Sequence, residues 1–166
     1  MLISGVVVLA GLAWANWPVP DLPERTKVDR ILVRKEARTL TLFEQGRSVA
    51  TYPISLGRVP TGAKRQEGDK KTPEGRYLIT EHKSDSAFYR ALRISYPNTY
   101  DQERARLEKR PPGSNIMVHG LPNGLGLIGR VHRWMDWTAG CVAVTNSEMK
   151  QIFAVVQPQA EIEILP

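Results

Sequence analysis

Three short segments early in the chain alternate apolar and polar positions in the manner of β-strands. β-Branched and aromatic residues recur through residues 28–33, 40–43 and 49–54, and the tripeptides at 36–38 and 45–47 separate these segments at hairpin spacing. The pattern therefore predicts an antiparallel meander of three strands.

Further along, the pattern predicts a long polar loop over residues 57–75, three more short strands and two helices. Residues 98–110 are strongly charged, open with capping residues and stop at Pro-Pro-Gly, which indicates a helix that faces solvent. Thr145 and Glu148 have the spacing of a capping box, and apolar residues follow at helical intervals. The additional strands are predicted at residues 76–80, 116–118 and 160–165. A mainly β fold with one or two helices follows.

The first fifteen residues have a character of their own. Residues 2–15 are nearly all apolar, and the first charged side chain is Asp21. A run of this length fits the core of a signal peptide better than a bilayer span, and Ala13-Trp14-Ala15 has the small-x-small form of a cleavage site. The segment carries no Lys or Arg, so an uncleaved membrane anchor and a buried first element stay open. We expect residues 1–15 to direct export or anchor the chain, 16–26 to form a proline-rich linker, and 27–166 to form one domain.

Composition narrows the class of protein. The chain has 166 residues, 42% hydrophobic and 24% charged, which excludes a disordered or fibrous protein. Its net charge of +6 favours anionic partners such as nucleic acid, lipid head groups or acidic cell-wall polymers. The basic residues are scattered, and an exported protein rarely meets nucleic acid, so we expect no nucleic-acid partner.

Cys141 is the only cysteine, which rules out an internal disulfide and a multi-cysteine zinc site. Gly140 precedes it, so the backbone can turn sharply and direct amide groups at an oxyanion. A cysteine nucleophile needs a histidine base, and the candidates are His119 at a strand end, His132 in a basic aromatic stretch and His82, which we expect to be solvated. His119 is favoured because a rigid apolar strand supports it. The alternative is that Cys141 is a small buried apolar residue.

A GxGxxG sequence occupies residues 124–129, but no βαβ unit surrounds it. We interpret this segment as a flexible glycine-rich loop beside the site and not as a nucleotide-binding fingerprint. No cofactor and no metal are expected.

Taken together, these motifs resemble the YkuD-like L,D-transpeptidase catalytic domain, in the branch whose motif reads Trp-Thr-x-Gly-Cys. The likeness covers about residues 28 to 165. The stretches that carry it are residues 52–57, 71–77, 93–98, the pair His119-Gly120 and residues 137–146.

The resemblance implies a β-sandwich or open barrel and a cysteine acyltransferase acting on peptidoglycan stem peptides. It implies that Cys141 is the nucleophile and His119 its base, that the carbonyl of Gly120 holds the imidazole tautomer, and that Gly140 and the Cys141 amide form the oxyanion hole. The expected product is a 3–3 cross-link, or a stem joined to another amine acceptor or to a wall-attached protein. A carboxypeptidase or amidase with the same site and a non-catalytic wall-binding module remain alternatives. The implied location is the periplasm or cell envelope.

Two positions depart from the commoner motif of the family. Ala139 replaces a second histidine, which strengthens the case for His119. Ala143 stands where an arginine is frequent, so recognition of the substrate carboxylates falls to other residues. The candidates for substrate binding are Arg76, Arg93, Arg130 and Arg133, together with Trp137 and Thr138 of the motif itself.

Overall fold

The computed structural model describes residues 10–166. Residues 1–9 of the predicted leader lie outside the described part. Within it the strands are β1 Val28–Arg34, β2 Thr39–Glu44, β3 Arg47–Pro53, β4 Gly75–Ser86, β5 Tyr89–Ile94, β6 Met117–His119, β7 Val142–Ala143 and β8 Val156–Leu165. The helices are α1 Thr99–Glu108 and α2 Asn146–Val155, and Gly126–Trp134 forms 3-10 turns.

The strands form one sheet in the order β3-β2-β1-β8-β4-β5-β6-β7, curled into an open half-barrel. The predicted meander is confirmed, because β1, β2 and β3 pair antiparallel in sequence. The last strand, β8, lies between β1, to which it is parallel, and β4, to which it is antiparallel. The mainly β fold is confirmed, and β8 is what joins the meander to the half of the sheet that carries the candidate site.

The two helices are stabilised by the capping residues that the sequence predicts. In α2 the Thr145 hydroxyl accepts from the Glu148 amide, and Met149 and Ile152 enter the core. Helix α1 does not face solvent along its whole length, contrary to the prediction. Asp101 is buried, where it accepts hydrogen bonds from Tyr77 at 3.0 Å and Arg104 at 3.0 Å. Partnering of this kind is what a buried carboxylate needs, and a charge pattern along the chain does not reveal it.

The N-terminal part of the described chain packs onto the domain. Residues 10–15 are helical, and residues 16–26 carry no helix or strand. Val19 and Leu22 nevertheless pack against the core, and Gln151 donates to the Pro20 carbonyl at 2.9 Å. None of the helices among residues 10–166 has the length and apolar character needed to cross a bilayer.

Candidate active site

Strands β6 and β7 bring Cys141 and His119 to one face of the sheet. The strands pair in parallel, with Val118 opposite Val142 and His119 opposite Ala143. Cys141 directly precedes β7 and lies two residues before Ala143, so the strand pairing brings it near His119. Both side chains line one cleft of about 660 Å³.

The imidazole of His119 is held in one tautomer. Its Nδ1 lies 2.7 Å from the carbonyl oxygen of Gly120, which can only accept, so Nδ1 carries the proton and Nε2 keeps its lone pair. The ring is buried, with the Phe88 ring centroid 4.5 Å away and that of Trp137 5.7 Å away. Burial lowers the pKa of His119, and the hydrogen bond to Gly120 only partly opposes this. His119 is therefore a neutral imidazole, in the form that can accept a proton.

The thiol of Cys141 is half-buried, and it donates to the carbonyl oxygen of Asn115 at 3.6 Å. Burial raises the pKa of this thiol, although a backbone hydrogen bond from Met117 and the positive charge of Lys64 lower it in part. The resting site thus holds a protonated thiol and a neutral imidazole in the same cleft. Such a pair can generate a thiolate only as the proton moves to the base.

The hydroxyl of Thr138 fixes the turn before the cysteine. It accepts from the Gly140 amide at 3.1 Å and donates to the Cys141 carbonyl at 2.8 Å. Gly140 has φ +133°, and a Cβ there would lie 2.6 Å from the carbonyl oxygen of Lys71, so the position requires glycine. Since the Gly140 amide is bonded to Thr138, the Cys141 amide is the better candidate for an oxyanion donor.

The predicted loop over residues 57–75 forms a wall against this turn. The Gly57 amide donates to the Thr72 hydroxyl at 3.1 Å, and the Arg58 amide donates to the Thr138 carbonyl at 3.0 Å. A Cβ on Gly57 would overlap the carbonyl oxygen of Lys70. The same Cβ would lie 3.0 Å from Cα of Gly140, so the loop packs closely against the cysteine turn.

Positive charge lines the cleft. The cations are Arg58, Lys70, Lys83 and Arg93, and no carboxylate side chain lines the cleft among residues 10–166. The guanidinium of Arg93 also pairs with Glu81 at 2.9 Å. Of the four cations, sequence reasoning selected only Arg93. Arg58 and Lys70 lie in the polar loop predicted over residues 57–75, and the sequence analysis did not select Lys83.

The remaining predicted arginines lie away from the cleft. Arg76 pairs with Glu163 at 3.1 Å, and Arg133 pairs with Glu148. Arg130 donates to the carbonyl oxygens of Trp14 and Trp17. Trp137 and Thr138 do line the cleft.

His132 is buried behind the cleft and contacts Trp137. The Trp137 indole donates to Nδ1 of His132 at 3.3 Å, and the Ser55 hydroxyl lies 3.1 Å from the same nitrogen. Burial, reinforced by the positive charge of Arg133, lowers the pKa of His132 to about 4. A neutral His132 therefore accepts the hydrogen bond that positions the Trp137 indole, and this indole packs against His119.

The structure also bears on the expectations for His82 and for the GxGxxG segment. His82 is not simply solvated: it lies in β4, with Nε2 3.0 Å from the Val156 carbonyl and its ring edge-on to Phe153. The GxGxxG segment, interpreted from the sequence as a flexible loop, is a turn at Gly124 and from Gly126 onward belongs to the 3-10 turns of Gly126–Trp134. Gly129, with φ +50°, packs so closely on the Ala15 carbonyl that a Cβ would overlap it. Glycine serves close packing there.

Comparison with known proteins identifies the class to which this fold and site belong. The sequence profile of the L,D-transpeptidase catalytic domain family, YkuD, matches residues 28–164. The chain belongs to that family.

Individual relatives agree with this assignment. YafK of Escherichia coli strain K12, provisionally named an L,D-transpeptidase, is 31% identical over an alignment spanning 100% of this chain and 68% of YafK. The helical cell shape determining protein Pgp2 of Campylobacter jejuni superposes with a TM-score of 0.65 at 24% identity, covering 92% of this chain and 53% of Pgp2. Bd1075 of Bdellovibrio bacteriovorus gives 0.60 at 28% identity, covering 86% and 49%. The chain thus spans about half the length of these two solved proteins.

Proposed function

We propose that this protein is a cysteine acyltransferase that acts on peptidoglycan tetrapeptide stems through a thioester on Cys141. The observation that carries the proposal is the shared cleft, in which the Cys141 thiol and an imidazole with a free Nε2 lone pair open onto the same cationic space. Membership of the L,D-transpeptidase family supports the choice of substrate.

The first step forms the thioester. Sγ of Cys141 attacks the amide carbonyl after the third stem residue while its proton passes to Nε2 of His119. The Cys141 amide faces the oxyanion that develops. The tetrahedral intermediate collapses, the carbon–nitrogen bond breaks, and the departing D-alanine amine takes the proton from His119.

The second step reverses the proton's path. An acceptor amine attacks the thioester carbonyl and gives its proton to His119. The carbon–sulfur bond breaks, and the thiolate regains the proton. An amine from a neighbouring stem gives a 3–3 cross-link. Water in place of the amine gives a carboxypeptidase, and a wall-attached protein as the leaving group gives an amidase.

The cations around the cleft suit an acidic substrate. Arg58, Lys70, Lys83 and Arg93 are placed to pair with stem carboxylates, in the role that Ala143 cannot fill. Export to the periplasm or cell envelope, where such stems occur, agrees with the apolar run at residues 2–15.

The test is to incubate the purified protein with tetrapeptide muropeptides and analyse the products by mass. New dimers indicate transfer, and shortened monomers indicate hydrolysis. Cys141→Ala and His119→Gln should abolish either product, whereas His82→Gln, a histidine outside the cleft, should retain it. If correctly folded wild-type protein gives no product and no acyl-enzyme, the proposal is wrong and a wall-binding module is favoured.

A further inference from the structure

Exposed large apolar side chains gather on one part of the surface, which we call the tryptophan face. It comprises Leu12, Trp14 and Trp17 from the N-terminal segment, and Leu125, Leu127, Ile128, Trp134 and Met135 from the region of the 3-10 turns. Trp134 is 75% exposed and Leu127 is 74% exposed, which are high values for side chains of this size. A contiguous apolar patch of this kind marks an interaction surface more often than free solvent contact.

The two segments of the tryptophan face are joined to each other by specific contacts. Arg130 donates to the carbonyl oxygens of Trp14 at 3.1 Å and Trp17 at 3.0 Å. Asn16 donates to the Leu127 carbonyl at 2.9 Å, and the buried Ala15 packs against Gly129. Residues 12–17 therefore form one unit with the 3-10 turns, which corresponds to the uncleaved form of the N-terminal segment.

The residues of the tryptophan face, the sequence before it and the net charge together indicate which partner binds there. In the sequence the face is preceded by the apolar run that begins at residue 2, and three exposed side chains of the face, Trp14, Trp17 and Trp134, are tryptophans, the residues that prefer the interface between lipid and water. The net charge of +6 adds attraction to anionic head groups. A second protein copy would explain the apolar area but neither its three tryptophans nor the apolar run that precedes it in the sequence.

We propose that the tryptophan face binds the surface of an anionic lipid bilayer and holds the catalytic domain against it. The apolar hollow beside this face is lined by Ile128, Trp134 and Trp137, and Trp137 also lines the cleft of Cys141. Trp137 therefore lies between the apolar hollow and the cleft, so docking would bring the cleft toward the membrane. This inference concerns binding alone and does not depend on the proposed activity.

The experiment measures flotation of the full-length chain with vesicles of phosphatidylethanolamine and phosphatidylglycerol. The double variant Leu127→Ser with Trp134→Ser should lower the partition coefficient at least about tenfold, because two large apolar side chains lose their lipid contact. The matched control is Tyr100→Ser with Leu107→Ser, whose side chains on α1 are 71% and 68% exposed. The control should bind within about twofold of wild type. Thermal unfolding should be unchanged in both, since all four side chains are exposed.

Two results would overturn the proposal. Wild-type affinity in the Leu127→Ser, Trp134→Ser variant would mean that the leader binds lipid alone and the tryptophan face does not take part. Failure of the wild type to float, with a dimer in solution that the same variant dissociates, would make this face an interface between copies of the chain.

Discussion

Replacing Thr138 by valine tests the turn that presents the cysteine. Valine keeps the volume of threonine, so no cavity forms, but it removes the hydroxyl that satisfies the Gly140 amide and the Cys141 carbonyl. Thr138 is 4% exposed, so water cannot easily replace that hydroxyl. Each buried unsatisfied group costs about 1–3 kcal/mol, and we expect a loss of about 2–4 kcal/mol in the free energy of unfolding. That is a large part of the stability of an ordinary domain.

The assay is urea unfolding followed by tryptophan fluorescence, together with the rate at which iodoacetamide alkylates Cys141. Thr138→Ser restores the hydroxyl and should lose no more than about 1 kcal/mol. Thr41→Val is the control, because its hydroxyl bonds only to that of Thr51 on the outer strands and should cost less than about 1 kcal/mol. A Thr138→Val protein within about 0.5 kcal/mol of wild type, alkylated at an unchanged rate, would refute the reasoning.

Three further predictions concern the same cleft. Gly140→Ala should lose about 3 kcal/mol or more in urea unfolding, since its φ is +133° and the methyl group meets a backbone oxygen, whereas Gly46→Ala, with φ +80° and open space, should lose about 1 kcal/mol. Alkylation of Cys141 should keep rising with pH beyond 9, because burial raises the pKa of the thiol and His119, with its lowered pKa, is neutral. A rate plateau from pH 5 to 8 would reveal a thiolate–imidazolium pair and contradict this. Lys83→Gln should raise KM for the tetrapeptide about threefold to tenfold with kcat little changed, and an unchanged KM would remove this lysine from substrate binding.

The parts of the fold that depend on local signals could be predicted from the sequence. The meander follows from alternation and hairpin spacing, and the start of α2 follows from the Thr145–Glu148 capping box. His119 and Cys141 could be selected because a strand end and a glycine turn each carry a reactive residue type. These local signals are why the two central residues of the candidate site could be selected from the sequence.

What the sequence did not reveal depends on contacts between distant segments. The placement of β8 between β1 and β4 is a pairing that no local pattern encodes. Arg130 looked like a substrate ligand, but its partners are carbonyl oxygens more than a hundred residues away in the chain. Lys83 lies in the long strand β4 and lines the cleft, where it also pairs with Asp85 at 3.2 Å. Charge alone identified basic residues, and only the packing separated those that line the cleft from those that lie away from it.

The most direct test of the account is the intact mass of the protein after exposure to a carbapenem, whose strained amide acylates an activated cysteine. We predict one covalent adduct that peptide mapping places on Cys141, absent from Cys141→Ala and strongly slowed in His119→Gln. A folded wild-type protein that acquires no adduct, or an adduct that persists in Cys141→Ala, would contradict the claim that this thiol is the nucleophile.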